Sequence, residues 1–243
     1  MKRVRVLALT LAAAAYGAVA AAADAADVAE TATAIVEQTN ALRAEQGLAP
    51  LRGEGALEGA ARGFARYMAR SGNYGHTADG RQPVERAAAE GYEHCIVAEN
   101  IAYRYRSTGY AGAGELAGAF VDGWAQSPEH RRNMLEPAVT DTGVAVVQDE
   151  AGRYFAVQMF GRPKRAAIRF EVHNGADQRI HYRAGGEAFS LSPRETRRHL
   201  VCRRIQLTIA QVSPSPPFTA QAADGARYTV RADGAVAVSG PGQ

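Results

Sequence analysis

Apolar and polar positions change their spacing at Pro163, and the chain divides there. Before it, three-and-four spacing predicts helices. Val28, Ile35 and Leu42, with neighbouring alanines, line one face over 27–47, and Gly47 suits a helix stop. Leu57, Ala61, Phe64, Ala65 and Met68 line a second helix over 57–70, closed by Ser71-Gly72. Pro83 opens a short helix to Glu90, with Gly91 as its stop. Leu116, Phe120 and Trp124 share a face over 115–125. Ile101–Tyr105 reads as strand, and 142–148 and 154–160 read as a hairpin around Asp149–Arg153. After Pro163 the helical period gives way to short alternating runs at 168–172, 180–183, 187–191, 204–210, 226–231 and 235–238. Asn174-Gly175 and Asp233-Gly234 are hairpin signals, and Ser213–Pro217 is too rich in Pro and Ser to be regular. The expected fold is α+β over 24–163, followed by a small all-β sandwich or meander over 164–243.

Residues 1–23 predict a secretory signal: Lys2, Arg3 and Arg5, then the apolar run Val6–Ala15, then small residues at Ala18-Val19-Ala20 or Ala21-Ala22-Ala23. Export, periplasmic or extracellular, follows, and no later stretch is long and apolar enough to span a bilayer. Removing this segment changes the charge picture. The whole chain carries +3, but without those three basic residues it has 25 basic against 25 acidic. The basic pI therefore gives no ground for a nucleic-acid partner. Neutrality hides an asymmetry: 24–163 holds 13 basic and 19 acidic residues, 164–243 holds 12 and 6. Docking of one part on the other, or a basic face for an anionic surface, would use it.

Cys95 and Cys202 are the only cysteines. In an oxidising compartment the expected state is a bridge joining the two parts. Such a bridge constrains the unfolded chain by about 4–5 kcal/mol on the entropic model.

The chemistry-bearing stretch is Trp124–Pro137, WAQSPEHRRNMLEP. Ser127 suits an N-cap, Pro128 the first helical position and Glu129 the first turn, so His130 sits one turn into a short helix. His76 in NYGHTADG and Glu99 in VAENIAY lie on two other polar segments. Two imidazoles and a carboxylate suit a divalent metal such as zinc with an open position, or metal-free acid/base work. There is no G-x-S-x-G elbow to supply a nucleophile. Arg194, Arg197, Arg198, His199, Arg203 and Arg204 cluster around Cys202, either to bind phosphates or an acidic partner, or as a solvated or docking face. The solvated or docking reading is the favoured one. His94, His173 and His181 carry no functional expectation.

The ordered segments NALRAEQGLAPL, MARSGNYGHTADG, GYEHCIVAENIA, WAQSPEHRRNMLEP, TDTGVAVV and YFAVQMFG resemble the CAP superfamily (cysteine-rich secretory, antigen 5, pathogenesis-related-1; the SCP domain), most closely its bacterial branch. The resemblance runs from about Asn40 to Gly161. It implies a three-layer α-β-α sandwich with a central cleft that usually holds two His and two acidic residues, and in some members a divalent metal. His76 and His130 match the two histidines and Glu99 matches the Glu of the E-N-[IL]-A motif. The fourth position departs: Ser127 stands where eukaryotic members often carry Glu, and Asp122 and Glu129 are not at the matching place. The implied function is a binding or interaction module for a small ligand, envelope component or extracellular protein, with a metal at His76, Glu99 and His130. Two alternatives follow from the same resemblance. One is a metal-dependent hydrolase of peptide or envelope substrates, with Glu99 or a metal-bound water as base. The other is a lipid or sterol carrier.

Overall fold

A computed structural model describes residues 26–210 and 216–240. The expected signal at 1–23 and Ser213–Ser215 of the Pro/Ser-rich stretch lie outside the described residues.

Helix α1 (Val28–Glu45) starts at Asp27, whose carboxylate accepts from the amides of Ala29 and Glu30, and stops at Gln46 before Gly47 in the left-handed region. A two-residue strand β1 (Arg52–Gly53) leads into α2 (Gly55–Ser71), which Gly72 ends at φ 72°. Helix α3 (Pro83–Ala89) carries Pro at its start and a capping box between Gln82 and Glu85. Strand β2 (His94–Arg104) follows, then α4 (Ala113–Gln126), α5 (Pro128–Met134), β3 (Asp141–Gln148) and β4 (Tyr154–Pro163).

The first sheet has the order β1-β3-β4-β2. Side-chain alternation along it builds two cores. Val144, Val146, Ala156 and Phe160 face α1 and α4 with Ile35, Phe120 and Trp124. Ala145, Phe155, Val157 and Met159 face α2 with Leu57, Phe64 and Met68. This is a three-layer α-β-α sandwich. Its layers approach closely at Gly143, where any side-chain carbon would run into the backbone of Glu58 at the start of α2.

One buried cation holds the loops around α5. Arg43, 1% exposed, donates from Nε to Ala49 O at 2.9 Å and from Nη1 to Met134 O at 2.7 Å and Glu136 O at 3.2 Å. Its Nη2 reaches Val139 O at 3.5 Å. Burial lowers its pKa from the usual value, and Glu136 opposes the shift.

Beyond a 3-10 turn at Lys164–Ala166 come β5 (Ile168–Asn174), β6 (Ile180–Ala184), β7 (Glu187–Leu191), β8 (Thr196–Val201), β9 (Gln206–Ile209), β10 (Phe218–Gln221), β11 (Arg227–Val230) and β12 (Val236–Ser239). They form two four-stranded sheets, β10-β9-β6-β7 and β12-β11-β5-β8, whose inner side chains make one core. The C-terminal part is thus a β-sandwich, with one parallel pair, β11 on β5.

Three local expectations are corrected. Asn174-Gly175 does not make a hairpin. The Asn174 amide donates to Gln178 O at 2.8 Å and Leu191 O at 3.1 Å, which turns the chain from one sheet to the other. Asp233-Gly234 does join a hairpin, β11 to β12. Strand β2 begins seven residues before Ile101, so Glu99 and Asn100 lie within a strand. Ser127 takes the N-cap backbone conformation without a side-chain cap bond.

Cys95 and Cys202 are bridged, with Cα atoms 5.5 Å apart and a sequence separation of 107. Arg203 donates to Glu136 at 3.2 Å across the same junction. The rest of the basic cluster divides. Arg194 pairs with Asp177, Arg198 with Glu171, Arg197 stacks over Phe189, and His199 turns inward, its Nε2 2.8 Å from the Tyr182 hydroxyl.

Candidate functional site

The site straddles the outer edge of β2, where α3 approaches from one face of the sheet and α5 from the other. Glu99, Ile101 and Tyr103 point to the α2/α3 side, and Asn100 and Ala102 to the α4/α5 side. Glu99 has a side chain only 1% exposed. A lone buried carboxylate would be costly, and two partners hold it. Arg86 of α3, 3% exposed, donates from Nη2 to Glu99 Oε2 at 2.7 Å. The same guanidinium donates to Asp79 at 2.8 Å, Arg81 O at 2.8 Å and His76 O at 2.9 Å. It lies 3.6 Å from the centre of the Phe64 ring, and its Nε has no hydrogen-bond partner.

The other Glu99 oxygen, Oε1, is 2.8 Å from His76 Nδ1. A carboxylate paired with Arg86 can only accept, so His76 donates from Nδ1 and its Nε2 is the free nitrogen. His76 sits on the loop between α2 and α3 and is 46% exposed. His130, third residue of α5, faces it with ring centres 6.5 Å apart. Burial holds His130 below its ordinary pKa, the neighbouring His76 adds to the shift, and Glu129 opposes it.

Short helix α5 is fixed at both sides. Asn100 donates to His130 O at 3.1 Å, and Asn133 donates to Glu99 O at 3.2 Å and Asn100 Oδ1 at 2.9 Å. Trp124 and Tyr74 both donate to Ile101 O at 3.2 Å. Ser127 closes α4 with its N–H on Trp124 O and opens α5 with its carbonyl accepting from Arg131. Pro128 supplies no N–H and biases the residue before it to an extended conformation, which suits this double role.

The structure therefore brings His76, Glu99 and His130 into one cleft and gives them different surroundings. Both oxygens of Glu99 already accept hydrogen bonds, and Asp122 and Glu129 are exposed and make no bond to the cleft. Among the described residues no group of three or more His, Cys, Asp or Glu is placed as a metal-ligand set. Sequence reasoning missed Arg86, Asn100 and Asn133. The signal for Arg86 was present: a carboxylate inside a strand needs a buried cation, and Arg86 sits one turn into a Pro-led helix. A separate groove of about 890 Å³ lies between α1 and α2, away from the imidazoles.

The CAP model, described as the cysteine-rich secretory protein family, matches residues 36–160. A Bacillus subtilis (strain 168) relative, the uncharacterized protein YkwD, is 30% identical over 129 residues, which are 53% of this chain and 46% of that protein. The chain thus matches about half the length of that relative. Among solved structures, an outer surface protein from Borrelia burgdorferi superposes with a TM-score of 0.50 at 20% identity, covering 57% of this chain and 96% of that one. An extracellular protein containing a SCP domain from Bacillus anthracis gives 0.47 at 23% identity, covering 56% and 41%. The matched 36–160 are just over half of the chain's 243 residues and include His76, Glu99 and His130. This chain belongs to the CAP, or cysteine-rich secretory protein, family.

Proposed function

We propose that this chain is an exported CAP-domain binding module whose cleft holds a divalent ion, zinc foremost, between His76 and His130. The supporting observation is the His76–Glu99–Arg86 chain. A buried ion pair fixes the tautomer and orientation of an exposed imidazole and leaves its Nε2 unengaged, with the ring of a second imidazole 6.5 Å away between centres. Metal-bound histidines commonly donate their other nitrogen to a carboxylate in this way. Glu99 is then a positioning residue behind the ligand, not a third ligand. The two ring centres stand 6.5 Å apart, with His76 about half exposed. The ion would act as a Lewis-acid anchor for an oxygen or sulfur donor of a small ligand, an envelope component or an extracellular protein. The hydrolase reading needs a base, and the engaged oxygens of Glu99 favour positioning over proton abstraction. The basic-apolar-small run over 2–23 supports export. Among the described residues no helix is long and apolar enough to cross a membrane.

Zinc calorimetry on the wild type, His76→Ala, His130→Ala and Glu99→Gln tests the reading. Each alanine variant should abolish binding, and Glu99→Gln should weaken it by about 10–100-fold, as for other outer partners of a ligating histidine. Equal binding by wild type and His130→Ala, or none by either, removes the metal.

A further inference from the structure

The two edges of the first sheet are treated differently. Along the β2 edge from Glu99 to Tyr103 the outward carbonyls have side-chain partners: Glu99 O takes Asn133, Ile101 O takes Trp124 and Tyr74, and Tyr103 O takes Arg104 at 3.0 Å. At the other edge β1 covers β3 only at Asp141 and Thr142 before the chain turns away into α2. Thr140 O accepts from Arg52 of β1, Thr142 O accepts from Glu54 just past it, and Asp149 N bonds across the hairpin to Arg153 O. Even-numbered residues of β3 therefore turn their backbone outward and odd-numbered ones turn toward β4. Val144, Val146 and Gln148 carry outward N–H and C=O groups to which, among the described residues, nothing bonds. Unpaired edges of this kind are usually blunted or covered.

That edge is the floor of the groove between α1 and α2. Val28, Ala32 and Val36 of α1 form one wall, and Glu58, Arg62 and Arg66 of α2 the other. Arg66 and Arg70 border the continuation of the same edge past Val147. Arg62, Arg66 and Arg70 are four residues apart, about 6 Å along a helix at 1.5 Å per residue. Same-face side chains of a strand repeat at about 6.6–6.8 Å. An added strand would thus alternate between a small apolar wall and a row of arginines in nearly matching step. Arg62 is held only by an exposed pair with Glu58, and such pairs exchange partners at little cost.

We infer that the β3 edge is a strand-addition site for an extended peptide of a partner protein that alternates apolar with acidic residues, its apolar side chains on α1 and its acidic ones on the arginines of α2. Backbone pairing supplies affinity and the two walls supply specificity, as in other edge-strand recognition. The site is independent of the imidazole cleft.

The probe is a capped octapeptide alternating valine with glutamate, labelled for fluorescence anisotropy, with the purified full chain. It should bind saturably, and the valine–lysine counterpart should bind about tenfold more weakly or worse, the loss of one good charge contact. N-methylation at the alternate positions that face β3 should remove binding without any change to the protein. Arg66→Glu, at the exposed rim, should weaken the acidic peptide and strengthen the basic one. Amide exchange of Val144, Val146 and Gln148 should slow on binding. Undiminished binding of the N-methylated peptide, or unchanged exchange at those amides, overturns the proposal. So does protection without peptide: if it rises with concentration and a dimer appears in sedimentation, the edge pairs with a second copy. If it is constant in the monomer, the chain fills its own slot.

Discussion

Arg86 and Glu99 form an ion pair at 2.7 Å in which both side chains are almost fully out of solvent, at 3% and 1% exposure. Removing one member of such a pair is far more damaging than the pair is stabilising, because a charge is left buried. Glu99→Gln leaves Arg86 with Asp79 as its one carboxylate partner among the described residues. The expected loss is about 3 kcal/mol, the lower end for a broken buried pair since Asp79 remains. Urea unfolding measures it, and an effect below ~1 kcal/mol would show the pair to be wetter than its burial indicates.

Arg43 joins Ala49 to the Met134–Val139 segment through four carbonyls. Lysine keeps the charge but not the planar fork, so Arg43→Lys is not conservative here. It should cost about 2–4 kcal/mol through unsatisfied buried carbonyls and a displaced charge. Amide exchange should speed up at Leu135–Val139 before the rest of the front core responds. Uniform acceleration throughout would mean global weakening without local release.

His199 lies among Phe170, Phe189 and Tyr182 in the C-terminal sandwich. Burial first, and Arg197 second, lower its pKa from 6.5, with Glu187 opposing. A histidine with a lowered folded pKa favours the fold while neutral. Its contribution is complete above the unfolded value and is lost as pH falls below about 6.5 and through the folded pKa. The sandwich should therefore unfold at lower urea as the medium is acidified below that point, and His199→Gln should flatten this dependence. Its ring proton shift should titrate below the ordinary range. A midpoint at or above 6.5 contradicts the burial argument.

The Cys95–Cys202 bridge closes a 107-residue separation, so its reduction frees a long loop in the unfolded chain. Loss of about 4–5 kcal/mol is expected on the entropic model. Unfolding with and without reductant, beside a Cys95→Ala/Cys202→Ala double variant, reads it. Equal midpoints would show the unfolded chain to be restrained in some other way.

The helices were legible because their apolar stripes, leading prolines and stop glycines agree, as at Pro83 and Gly72. The hairpin of β3 and β4 was equally plain, with Asp149 bonding Arg153 in its turn. Strand β2 was half hidden, because Glu99 and Asn100 look like loop residues until Arg86 and Asn133 are known to satisfy them. Strand β8, TRRHLV, reads as a charge run. Its arginines stay largely exposed while His199 packs inward, a distinction that only the opposite sheet creates. At the candidate site the gathering of His76, Glu99 and His130 was readable from ordered motifs. The engagement of Glu99 by Arg86 was not, since it depends on how α3 lies against the sheet.

Ser127 belongs to α4 and α5 at once, ending one and beginning the other with no residue between. Trp124, three positions back, is anchored in the core, and His130, three positions on, stands in the cleft. There is no slack between them. Any ligand that draws His130 toward His76 has to turn α5 about a single residue or pull on the indole below, so capture of a guest and tension in the interior are geared together.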